Sequence, residues 1–419
     1  MHVVVTGAGL LGLSTAYSLA THGCLVTVIE RNSSVALETS FANGGMLHAS
    51  QANPWNEPGI MGAAIRMLGK EDAALLIRAK ALPRMLFWGM DFVRQSRREH
   101  YSTNLSKNAR LARYSIGVIG QIRERLDLRY HHSDCGTLKI FRTKAAFEHA
   151  REFIDRYENL DIPYQLLDTQ QLVAEEPALA AIGDRLYGGM LFSGDEVGDA
   201  YEYCVALYRA CKELGVEFQF NVEVTHFEKA REKIRAAVHS NGQIAGDQFV
   251  IACGSYSPKV MRKLRVSVPI QPVKGYSITV PTDSWQESPT IAVIDEEMHA
   301  AVCPLGKNLR VAGTAEFAGY DKNLTASRIE NLVSLLKGVY PEFIPHFDEQ
   351  KMQSWTGLRP MTPDGVGIMS ATKIGNLFIN SGHGHLGWTM APGAGQALAD
   401  LMVTGTSELS IEDYSLRRF

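Results

Sequence analysis

A chain of 419 residues is long for one folding unit, so two domains are expected. Apolar content of 45% and charged content of 21% are those of an ordinary globular protein, and a net charge of −3 gives no field for holding nucleic acid. Six cysteines stand at 24, 135, 204, 211, 253 and 303, with no CxxC pair and no cysteine–histidine ligand spacing. Reduced core thiols in a reducing compartment are therefore expected, and a metal is not. The apolar N-terminus lacks a basic leader, and no apolar run approaches the roughly eighteen residues of a spanning helix. Cytoplasmic residence without a signal peptide is the corresponding expectation.

Val3-Val4-Val5 reads as a short strand, residues 13–22 as a helix, and residues 25–29 as a second strand ending on Glu30. Between strand and helix lies Gly7-Ala8-Gly9-Leu10-Leu11-Gly12. In a βαβ unit Gly7 allows the tight turn, Gly9 lets backbone amides approach a pyrophosphate, and Gly12 brings helix and strand together. The helix N-terminus adds unpaired N–H groups and partial positive charge. Glu30, with Arg31 beside it, is placed to accept from a ribose diol. The stretch is a dinucleotide site in its full context of strand, turn, helix, strand and acid.

Residues 38–46 are small, polar and glycine-rich, suited to lying flat against a planar ring. Ser40, Ala42, Asn43, Gly44 and Gly45 are the contacts proposed there. Helical spacing follows at 60–68, 73–82 and 85–92, with Arg66, Lys70, Arg78, Lys80, Arg84, Arg94, Arg97 and Arg98 interleaved. Two readings stay open. One is a helical insertion packed on its own domain. The other is a basic amphipathic surface that puts Met61, Met67, Leu68, Leu86, Phe87, Trp88 and Phe92 into a membrane interface. Helices are expected at 105–127 and 145–159, and Asp199 opens another that Gly215 ends. Strands follow at 216–224, 234–238 and 248–252, the last running into a second glycine turn at Gly254. From Val273 onward, alternating apolar and polar residues predict a half-exposed antiparallel sheet.

Two late clusters bear on chemistry. In Trp355-Thr356-Gly357-Leu358-Arg359-Pro360, continuing to Gly365, glycines and prolines fix the backbone, so Arg359 is expected on a rigid turn. Its planar fork matches a carboxylate bidentately. In Gly382-His383-Gly384-His385-Leu386-Gly387-Trp388-Thr389, glycines can turn successive amides toward one anionic or carbonyl group ahead of the last helix. The HxH pair lacks a third ligand, so no metal is expected. Nothing proposes a nucleophile or hydrolytic base, which fits chemistry carried by a cofactor.

Taken together, these motifs and Pro272-Val273-Lys274-Gly275-Tyr276-Ser277 make the chain resemble the D-amino-acid-oxidase superfamily of FAD flavoproteins, most closely the bacterial D-amino acid dehydrogenase small-subunit type. The resemblance runs nearly end to end. It implies an α/β architecture in which a glutathione-reductase-type, Rossmann-like FAD domain (1–53, 194–268, 353–419) is interleaved with an antiparallel-sheet α+β substrate domain (54–193, 269–352). It implies non-covalent FAD, since no cysteine or histidine stands at a linkage site. Arg359 becomes the carboxylate anchor, residues 382–389 the flavin cradle, and Val224 part of the adenine side, with Gly254 and Gly357 also at the cofactor. Tyr276 is placed in the substrate pocket. Gly44-Gly45-Met46-Leu47-His48 departs from the family's Ala-Gly-Gln after the asparagine, and His48 is taken as a pocket residue. The implied reaction is oxidative deamination of D-amino acids, with electrons passed to a quinone-type acceptor at the inner membrane face. An O2-using glycine or sarcosine-type oxidase, a dehydrogenase for a D-imino acid such as proline, and a nucleotide-binding module without catalysis are the alternatives.

Overall fold

The computed structural model describes residues 1–60, 62, 75–152, 158–298 and 300–419. Most of the expected helix at 60–68, the first two residues of the one at 73–82 and part of the one at 145–159 lie outside these residues, as do Met61, Arg66, Met67, Leu68 and Lys70. Among the described residues no helix is long and apolar enough to cross a membrane.

The first strand (His2–Thr6) sits inside a six-stranded sheet, with Val3 opposite Val26 on one side and Gln248 on the other. The order across the sheet is Ile368–Ala371, Leu377–Ser381, Gln248–Ile251, His2–Thr6, Leu25–Ile29 and Glu217–Gln219. Only the edge strand Ile368–Ala371 runs antiparallel to its neighbour. Val3, Val4 and Val5 are wholly buried, which is why the run is continuously apolar rather than alternating. On one face the helix Leu10–Thr21 packs against the closing helix Gly387–Thr404. The approach is close enough that a Cβ on Gly395 would come within 2.5 Å of the Ser14 main chain.

The second sheet has nine strands; its longest, Gln271–Pro281, lies next to the edge, between Gln353–Met361 and Asn308–Phe317. Most of its pairs are antiparallel, as expected, but Ala292–Asp295 runs parallel to Thr137–Phe141 and Leu75–Ile77 parallel to Asn308–Phe317. Residues 75–77 were expected in a helix; instead this short apolar run fills a sheet edge. The sheet is not half-exposed either. Gln271–Pro281 is buried along most of its length, because one face meets the helix Ala326–Val339 and the other faces an internal cavity. Its alternation therefore does not mark a solvent face. Gln353–Met361 falls on the other side of the expected boundary at 353, since it pairs throughout with Gln271–Pro281.

Candidate active site

One cavity of about 1260 Å³ lies between the two sheets. Its nucleotide end is built by the first βαβ unit. Gly7 has φ of +103° and donates to Ile29 O at 2.8 Å, closing the turn. Gly9 offers no side-chain cap to the helix, and no acid stands in its first turn, so the positive end stays available. Glu30 is buried and braces this loop. Its Oε2 accepts from Ala8 N at 2.8 Å, and its Oε1 accepts from Asn32 N and Asn32 Nδ2. The brace leaves Oε2 with capacity for a further donor such as a ribose hydroxyl. Arg31 pairs with Glu38 and lies 3.8 Å from the Tyr256 ring centroid.

Most of the expected cofactor residues reach the cavity: Gly7, Gly9, Leu10, Leu11, Glu30, Arg31, Ser40, Ala42, Asn43, Gly44, Val224, Gly254, Gly357, Gly384, His385, Gly387 and Trp388. Four do not. Gly12 is a packing glycine under the loop. Gly45 is turned toward Cys303 and Leu305, where a Cβ would come within 2.9 Å of Cys303 Sγ. Leu386 is buried in a cluster with Leu111 and Met390. Thr389 spends its hydroxyl accepting from His48 N at 3.1 Å. Two local features hold the loop at 38–46. Ser40 Oγ accepts from Leu10 N, and Arg310 donates to Asn43 O at 2.8 Å.

At the other end stands Arg359. It was expected on a turn, but it lies within Gln353–Met361, opposite Val273. The ladder, not the flanking prolines, gives it a rigid base; Pro360 is tolerated because this is an edge strand. Its guanidinium rests on Gly275, where a Cβ would fall 2.0 Å from Nη1. Nη1 donates to Thr314 O at 3.1 Å, and among the described residues no carboxylate pairs it. Burial pulls it down to about 10, so it remains a cation at neutral pH. Trp55 closes over it: the ring lies 5.7 Å from Arg359 Cζ and stacks on His385 at 5.3 Å. Gly275 was quoted from sequence only as part of a motif and Trp55 not at all, since their contact with Arg359 is long-range.

Tyr276 does not belong to this cluster. Successive strand residues face opposite ways, so with Gly275 under Arg359 the ring of Tyr276 turns to the back of the sheet. There it packs with Ile278 and Leu332, and its hydroxyl donates to Glu316 and engages Thr325 Oγ1. Tyr276 is nonetheless among the residues lining the cavity, with its hydroxyl committed to Glu316 and Thr325. His48 does line the cavity, buried, with Nδ1 unpartnered.

The polar residues present fit a flavin dinucleotide. A Cβ on Gly9 would meet nothing nearer than Ser40 Oγ at 3.4 Å, so the space over that loop is open. His383 is 2% exposed and lines the cavity, yet neither ring nitrogen has a partner. Orphaned polar atoms of this kind call for a polar occupant.

Burial holds His48 down at about 4; burial, with Arg418 adding, holds His383 at about 3. Both lie below the ordinary value of about 6.5, so the unfolded chain binds the extra protons. Their contribution is therefore complete above about pH 6.5 and is lost as pH falls toward about 4. Each should cost about 1.4 kcal/mol per pH unit in that window. Burial holds His385 at about 3 as well, so in urea unfolding of the enzyme at pH 7, 6 and 5 His383→Asn is expected to remove about a third of the slope the three histidines share, and an unaltered slope contradicts it.

Residues 2–401 match the family model described as FAD dependent oxidoreductase, DAO, and the chain belongs to that family. Over the full length of both chains it is 38% identical to a D-amino acid dehydrogenase of Methylobacterium radiotolerans and 36% identical to one of Vibrio atlanticus. Among solved structures, L-proline dehydrogenase of P. horikoshii superposes with a TM-score of 0.77 at 18% identity, covering 100% of this chain and 97% of that one. Glycine oxidase of Bacillus cereus gives 0.76 at 20%, covering 98% and 97%. These likenesses are of fold. The protein is thus an FAD-dependent oxidoreductase of the amino-acid-oxidising class.

Proposed function

We propose that the protein oxidises D-amino acids to imino acids, which hydrolyse to 2-oxo acids and ammonia, and that a membrane quinone receives the electrons. The observation that carries this reading is Arg359, a cation lining the cavity with no carboxylate beside it among the described residues. Such a group calls for an anionic ligand, and the fork matches an α-carboxylate. Thr314 O takes one N–H, and among the described residues no side chain or carbonyl takes another, which leaves them for the substrate. Trp55 and His385 wall the guanidinium, so the substrate is fixed in orientation as well as charge. The cation of Arg359 disfavours a second positive charge beside it, so the amino group binds there uncharged. His48 Nδ1, unpartnered, is the polar atom available to it. FAD, when bound, supplies the two-electron acceptor for the α-hydrogen leaving as hydride. Positioning then does most of the work and can contribute as much as about 7–11 kcal/mol.

The quinone reading rests on the helix Leu82–Gln95. Met85 and Trp88 bury one side against Val273 and Phe317, while Leu86 is 61% and Phe87 77% exposed. Leu82, Leu86 and Met90 continue into the cavity lining, and Lys80, Arg94, Arg97 and Arg98 are exposed nearby. Trp88 is better counted with the core, since its Nε1 donates to Met361 O. Basic residues near anionic lipid each contribute about 1 kcal/mol, and salt weakens the attraction. The wild type should float with anionic vesicles at low salt and reduce a quinone, whereas Leu86→Asp/Phe87→Asp should do neither at the membrane. Folded wild type that never floats, with peroxide formed stoichiometrically from oxygen, would favour the oxidase alternative.

A further inference from the structure

The geometry points to Thr314 as a positioning residue that presents Arg359 through its own main-chain carbonyl, at a strained β-bulge. The inference rests on the reading of Arg359 as carboxylate anchor. Tyr276 pairs with Gly313, but Lys274 pairs with Glu316, so one residue on the first strand faces two on the second. Thr314 sits in that extra length with φ of +55°. Among the described residues it is the one β-branched side chain at positive φ. A β-branched residue is poorly suited to that conformation, which persists only where its surroundings impose it.

What the bulge achieves is local. It turns the Thr314 carbonyl onto Arg359 Nη1, while Gly275 opposite leaves room for the guanidinium to lie flat. The Thr314 hydroxyl contributes nothing visible, being buried without a partner. The device is therefore in the backbone. It is pinned from behind the sheet by Glu316, two residues on, which accepts from Arg78 Nε at 2.7 Å and from the Tyr276 hydroxyl and lies 3.4 Å from Lys274 Nζ. Tyr276 thus supports the substrate anchor from the far face.

The test is a series at one position. Proline cannot adopt the φ of Thr314, whereas glycine and asparagine can. Thr314→Pro should raise KM for D-alanine at least tenfold, with kcat within about threefold and FAD content unchanged. Thr314→Gly and Thr314→Asn should restore KM to within about threefold, and the glycine variant should melt higher than wild type. A purely structural bulge would lower melting temperature and FAD content without this KM-against-kcat split. Glu316→Gln, which loosens the bulge from behind, should also raise KM, and decides the matter if the proline variant does not fold. An unchanged KM in the folded proline or glutamine variant, or equal losses with glycine, asparagine and proline, overturns the inference. If Arg359→Ala itself leaves KM unchanged, the anchor reading fails instead.

Discussion

Arg359→Ala should raise KM for a D-amino acid from about 30-fold to several thousand-fold while the protein stays yellow. The magnitude follows from the loss of a charge-assisted bidentate pair in an enclosed site, typically about 2–5 kcal/mol. Among the described residues the guanidinium has one protein hydrogen bond, to Thr314 O, and no carboxylate beside it, so little besides substrate binding is at stake. FAD should be retained because the nucleotide-end residues Gly9, Glu30 and Val224 are untouched. Arg359→Lys should fall between the two, since it keeps the charge and loses the planar fork. Steady-state kinetics with a matched flavin absorbance ratio checks both. Equal losses of flavin and substrate affinity would mean that Arg359 supports the fold instead.

Gly12→Ala should abolish cofactor binding by collapsing its support. The added Cβ would fall 1.9 Å from Gly7 O and 2.9 Å from Gly7 C. Both obstacles are backbone, so no side chain can swing aside, and the Gly7 turn must move. Overpacking of this kind costs about 1–3 kcal/mol and more where backbone is involved. The displaced turn is the one that aims amides at the pyrophosphate, so the stabilisation that bound cofactor contributes is lost as well. Gly9→Ala is the instructive contrast. Its Cβ has free space in the apoprotein, so the chain should fold with an unchanged apo melting temperature yet bind FAD poorly. Thermal melts of both apoproteins with FAD titrations separate the two effects; an apo Gly12→Ala as stable as wild type would contradict the first.

The cofactor half was readable because its signals are local. Strand, turn, helix, strand and acid fall within one short run of sequence, and the periods that define them need no knowledge of distant pairing. That Arg359 has a rigid base was also readable from its neighbours, though for another reason: a sheet ladder, not a turn, holds it at the cavity. Tyr276 shows where such reading ends. A strand's period of two tells that Gly275 and Tyr276 face opposite ways, but not which faces the cavity. That depends on a bulge in a strand some forty residues away, and Thr314 carries no turn signature that would announce it. Residues 75–77 went the same way, drawn into a strand by a sheet edge that lies far along the chain. The side chains of the amphipathic run divide by exposure. Leu86 and Phe87 are exposed, but Trp88, equally apolar, is buried, a distinction set by helix rotation against Phe317.

The most direct measurement is the anaerobic absorbance spectrum of the purified, FAD-loaded enzyme on adding D-alanine or L-alanine, with Arg359→Ala run beside it. D-alanine is expected to bleach the flavin band of the wild type, L-alanine to leave it, and the variant to need far more D-alanine for the same change. A flavin that no D-amino acid bleaches, or one that Arg359→Ala bleaches at the wild-type concentration and rate, would contradict the account.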